Sequence, residues 1–159
     1  MNKNRSWVVL AVMVGCALLL MGGAPKLQAL SDEEAYQRFV GTWVNTKYAG
    51  TPEQAQVTVI KPDYVGEDWP TPDSKSPVTN WKFIVKNTWV DEKGNTYCQY
   101  IAPSSKNPGW LNAWLMRVDK ARKVIEFQWG SAETSESALT FPKTIDPKDP
   151  MYSILYREK

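Results

Sequence analysis

From Gly41 onward the apolar residues recur with a period of two, and that rhythm holds almost to the end of the chain. Trp81, Phe83 and Val85 alternate with Lys82, Ile84 and Lys86, and Ile125, Phe127 and Trp129 alternate with Glu126 and Gln128. Successive side chains of a strand point to opposite faces of its sheet, so this is the pattern of half-buried strands. Residues 43–48 and 56–60 read as strands around a turn at Gly50–Pro52. Residues 81–89, 96–101, 111–118, 123–129 and 151–157 read as five more. Asp91-Glu92-Lys93-Gly94-Asn95 and Asp119-Lys120-Ala121-Arg122 are tight hairpin turns, with Gly94 free to take a positive φ. Two stretches break the rhythm. Residues 62–78 carry Pro62, Pro70, Pro72 and Pro77 and read as a long loop holding at most a short strand. Residues 130–150 are rich in Ser, Thr, Glu and Pro and read as a crossing or capping segment. Short strands joined mostly by hairpins predict an antiparallel barrel or sandwich, and closure of a barrel removes exposed strand edges.

A helix is expected before the first strand. Ser31 is its N-cap and Glu34 stands at the capping-box position. Tyr36, Phe39 and Val40 follow at helical spacing, and Gly41 ends it.

The first 29 residues have the layout of an export signal. Lys3 and Arg5 precede an apolar run from Trp7 to Met21, and Gly22-Gly23-Ala24-Pro25-Lys26-Leu27-Gln28-Ala29 follows. Cleavage is expected after Ala29, leaving a domain of residues 30–159 that is periplasmic or secreted. The alternatives are an uncleaved anchor, or a membrane lipoprotein acylated at Cys16, because Met13-Val14-Gly15-Cys16 loosely follows a lipobox. Loss of Lys3, Arg5 and Lys26 takes 19 basic residues to 16, all 17 acids lie beyond Ala29, and the net charge moves from +2 to −1. Such a domain has no bulk charge with which to attract nucleic acid or anionic lipid.

Composition excludes several chemistries. The chain has no His, which removes His-ligated metals, His-based nucleophilic catalysis and a histidine pH switch. After cleavage only Cys98 remains, so no intramolecular disulfide forms. Cys98 lies among aromatic residues and is expected to be buried. No cofactor motif is present. The 8 Trp, 7 Tyr and 4 Phe are a heavy aromatic load for one small domain, suited to strands and ligand-lined surfaces.

Phe39-Val40-Gly41-Thr42-Trp43, placed after a short helix and opening the first strand, resembles the Gly-x-Trp signature of lipocalins and related calycin barrels. The chain beyond it, ending in Tyr152-Ser153-Ile154-Leu155-Tyr156-Arg157, is similar to small exported bacterial lipocalin-like proteins of unknown function. The resemblance implies an all-β fold, an antiparallel lipocalin-like β-barrel of about eight strands. It also implies that Trp43 plugs the closed end, with Arg157 packed across it. The Thr-Asp-Tyr motif of true lipocalins is absent, as is the helical lid of fatty-acid-binding proteins. The family's ligand chemistry is therefore not carried over.

Barrel interiors are lined by alternate strand residues. Trp81, Phe83, Trp89, Trp114 and Phe127 are therefore the expected wall of a pocket for a small apolar or aromatic ligand. The competing reading is that the same side chains fill a solid core. Asp63, Glu67, Asp68 and Asp73 read as a solvated acidic loop rather than a calcium site. Glu126 alternates with inward apolar residues and is expected to face solvent, as are Lys82 and Lys86. No pair of carboxylates, phosphate loop or nucleophile elbow supports catalysis, and the expectation is a non-catalytic binding protein. The alternative is a protein- or glycan-interaction module built on the loop aromatics Tyr64, Trp69 and Trp110.

Overall fold

A computed structural model describes residues 30–45, 57–71 and 74–158. The export signal, Cys16, Asp73 and the turn at Gly50–Pro52 lie outside the described residues. Helix α1 (Asp32–Gln37) opens the described chain. Ser31 and Glu34 close a capping box: the Ser31 hydroxyl accepts from the Glu34 amide at 3.2 Å, and the Ser31 amide donates to the Glu34 carboxylate at 2.9 Å. Tyr36 of α1 and Phe39, two residues past its end, are fully buried.

Nine strands follow among the described residues: β1 (Gly41–Val44), β2 (Val57–Ile60), β3 (Val65–Trp69), β4 (Thr79–Lys82), β5 (Ile84–Val90), β6 (Thr96–Pro103), β7 (Leu111–Val118), β8 (Val124–Glu133) and β9 (Ser153–Arg157). They form one antiparallel sheet in the order β4-β3-β2-β1-β9-β8-β7-β6-β5. Two meanders, β1–β4 and β5–β8, are joined side by side by β9. Val65–Trp69 is thus a full strand within the stretch expected to be a loop, and the sheet has nine strands rather than about eight.

The sheet is not closed into a barrel. β4 and β5 are its two edges, and no ladder pairs them. The expected single strand over 81–89 is instead two strands separated by Phe83 alone. An even number of antiparallel steps separates these edges, so both run in the same direction. The chain therefore continues from one edge of the sheet to the other through one residue. One residue spans at most about 7 Å between its neighbours, so the sheet is curled until its edges meet at Phe83. Above that point β4 bonds only to β3, and below it β5 bonds only to β6. The upper end of β6, Ala102 and Pro103, has no ladder partner on β5, and β4 and β6 approach each other there without a ladder between them.

The inside of the curl is filled at one end. Thr96, Val118, Ile125 and Leu155 form a layer beneath α1, with Cys98 and Met116 above it. Trp43 is fully buried beside Phe39, and its indole N–H donates to the Phe39 carbonyl at 2.8 Å. Arg122, in the β7–β8 hairpin, donates to the carbonyls of Gln37, Arg38 and Val40 and so holds the end of α1. The other face of β6–β8 is covered too. Ile101, Ala113 and Leu115 point outward yet are fully buried, because the segment between β8 and β9 crosses over them. The Gln99 side-chain amide donates to the Pro142 carbonyl at 2.9 Å, and the Asp146 amide donates to Gln128 at 3.1 Å. Glu126, expected to face solvent, lies under this segment and is buried, ion-paired with Arg117 and accepting from the Tyr152 hydroxyl at 2.8 Å.

Candidate functional site

The ladder register decides which aromatic residues meet. Tyr100 pairs with Trp114, which pairs with Trp129; Cys98 pairs with Met116, then Phe127, then Ser153. These rows face into the curl. On the opposite wall Thr58 pairs with Asp68, which pairs with Thr79, and Gly66 pairs with Trp81. A Cβ on Gly66 would lie 2.5 Å from the Trp81 indole, so glycine there lets the ring lie flat on β3.

Between these walls lies a cleft of about 820 Å³. Its apolar lining comes from Trp81, Trp114, Trp129, Phe127 and Leu155, and its polar lining from Thr58, Asp68, Thr79 and Asn112. Its rim is exposed: Asn80 and Lys82 of β4, the loop residues Ser105–Asn107, and Met151. The volume falls within the roughly 300–1,000 Å³ of small-molecule sites. The interior is therefore divided, solid at the α1 end and open at the other.

Among the described residues Asp68 is the one carboxylate in the cleft lining. Its two oxygens accept from the Thr58 hydroxyl at 2.7 Å and the Thr79 hydroxyl at 3.2 Å. Burial holds its carboxyl above the ordinary carboxylate range, against the downward pull of those two hydrogen bonds. The stretch expected to be a solvated acidic loop thus sends Asp68 inward. Glu67, its neighbour on β3, points the other way and pairs with Lys61.

Three of the five expected wall residues line the cleft: Trp81, Trp114 and Phe127. Phe83 lies beneath it, packed edge-on against Trp81, Tyr100 and Tyr36 at centroid distances of 5.8, 4.5 and 5.9 Å. Trp89 is outside altogether. A bulge between Val85 and Asn87 inserts Lys86 into the ladder, so Val85 faces in, Asn87 faces out and Trp89 is turned to the outer face. There it stacks on Tyr97 with centroids 4.9 Å apart. Trp43 and Arg157 are neighbours at the closed end, with the guanidinium 5.0 Å from the indole centroid and donating to the Val40 carbonyl at 3.0 Å. They lie away from the cleft.

The loop aromatics do not assemble into one surface. Tyr64 stacks on Tyr36 at 4.3 Å beside α1. Trp69 is at the far end of β3 on its outer side, and Trp110 is exposed where β7 begins. Cys98 is buried, and burial followed by the charge of Asp32 pushes its thiol up to about 12. Among the described residues no cluster of three or more Cys, Asp and Glu stands ready for a metal. Sequence patterning missed Thr58, Asp68, Thr79 and Asn112. The period-two pairing of Gly66 with Asp68 was their only trace, and the prolines around it obscured the strand. No family model, curated protein or solved structure matches this chain.

Proposed function

We propose that this is an exported, non-catalytic binding protein that holds a small apolar or aromatic molecule in the cleft. The sheet would then be a variant of the lipocalin-like barrel, split along one side so that the split is the entrance. The carrying observation is the division of the interior: Tyr36, Phe39 and Trp43 together with Cys98, Met116, Val118 and Ile125 fill the α1 end, while Trp81, Trp114, Trp129 and Phe127 line open space at the other. Binding would draw on removal of apolar surface from water, about 25 cal/mol per Å². Thr58, Thr79 and Asn112 supply a few polar groups to orient the ligand.

Native mass spectrometry on protein purified from the cells that express it, set beside the denatured chain, tests this. The expected result is an excess mass that is lost on denaturation and reduced by Trp114→Ala. Phe83→Ala, beneath the cleft, is expected to cost stability first, about 3–5 kcal/mol. A bare-chain mass, together with no rise in melting temperature from any member of a small aromatic library, would overturn the reading.

A further inference from the structure

We propose that the molecule bound in this cleft carries a protonated amine beside its aromatic body, with Asp68 as the counter-ion. The inference rests on the cleft being a binding site and names the ligand's chemistry. Asp68 is a carboxylate that shares the cleft lining with indole and phenyl rings. An ionised carboxylate offers about four acceptor positions, and the Thr58 and Thr79 hydroxyls take two of them. Among the described residues no Lys or Arg forms an ion pair with it. Among the described residues the cations in the lining are Lys82 and Lys106, both on the exposed rim, where water and salt screen them.

Asp68 is half-buried, and a carboxylate drawn partly out of water without a cationic partner keeps an uncompensated desolvation cost, which a ligand ammonium offsets on entry. The walls favour the same charge. Trp81, Trp114 and Trp129 share the cavity with Asp68, and indole faces attract cations more strongly than other rings do. A ligand anion would meet the Asp68 charge and the negative faces of those rings together. The two threonines are neighbours of Asp68 on the ladder, one on each side, so the carboxylate is held in place before any ligand arrives.

The test uses three probes with one ring system: naphthylmethylamine, naphthalenemethanol and naphthoate, titrated calorimetrically into the mature protein at neutral pH and low salt. The amine is expected to bind about tenfold or more tighter than the alcohol, and the alcohol tighter than the carboxylate. Asp68→Asn is expected to remove the amine's advantage, bringing the ratio of amine to alcohol affinity down to about one. Asp68→Ser serves as a second variant should Asp68→Asn lose its near-ultraviolet dichroism. Equal binding of amine and alcohol, preference for the carboxylate, or an amine preference that survives both substitutions overturns the cation assignment while the cleft stands as a binding site. No binding by any of the three overturns the cleft reading as well.

Discussion

Gly41 owes its identity to Arg157. Its φ is +145°, which L side chains rarely adopt, and a Cβ there would lie 2.5 Å from the Arg157 guanidinium. The glycine, the tryptophan two residues later and the arginine near the end of β9 are therefore one packing unit: the guanidinium lies on the bare backbone of Gly41 and over the Trp43 ring. Gly41→Ala is expected to cost roughly 1–3 kcal/mol from backbone strain, with further loss from the displaced arginine, seen as a lower urea midpoint and altered Trp fluorescence. Asp68 carries a pH-dependent prediction. Burial raises its carboxyl in the folded state above the unfolded value. Its contribution to stability is thus fully present below the unfolded value and is lost as pH rises through the folded one. Asp68→Asn lacks that loss. The stability of the variant relative to the parent is expected to rise between about pH 3 and about pH 7. Urea melts of both chains across that range check the sign, and a difference that shrinks with pH would mean the carboxylate is favoured, not penalised, by its surroundings.

At the scale of elements, two irregularities set what the strands present. The Lys86 bulge re-phases β5, so that Thr88 and Val90 point inward and Trp89 does not. Period-two reading counts residues and has no way to see an inserted one, which is why Trp89 looked like a wall residue. The segment between β8 and β9 has a similar effect on burial. It makes β8 a strand covered on both faces, so alternation there separates cleft side from crossing-segment side instead of inside from water. At Gly130 the segment comes against bare backbone: a Cβ would lie 2.2 Å from the Thr140 carbonyl oxygen and 2.7 Å from the Pro142 ring. Backbone cannot swing aside as a side chain can. Gly130→Val is expected to lift the segment, cost about 1–3 kcal/mol and expose Ile101 and Leu115. Limited proteolysis within residues 134–150, slow in the parent and fast in the variant, would report it.

At the scale of the whole molecule, the sheet has two edges that the chain itself ties together at Phe83. A closed barrel has no weak side; this sheet has a seam, with β4 laddered to β3 alone and β7 laddered on both flanks. Amide hydrogen exchange is expected to be faster in β4 and at Ala102 than in β7, and a bound ligand bridging the cleft should slow it at the seam first. Exchange as slow in β4 as in β7 would mean that the edges are held together more firmly than the ladder shows. The alternation from Gly41 onward, the capping box at Ser31 and the turn residues at Gly94 and Asp119 are local. They act through backbone geometry and near neighbours, and the sequence alone determined the all-β class, the short helix, most strand positions and the inward set of β7 and β8. Which aromatic residues fill the interior and which leave it open was decided only in three dimensions. That outcome depends on the bulge at Lys86, on the strand Val65–Trp69 that turns Asp68 inward, and on the segment of residues 134–152 folding over one face. Each of these is a relation between residues far apart in the chain, and tertiary contacts alone make one pairing cheaper than another.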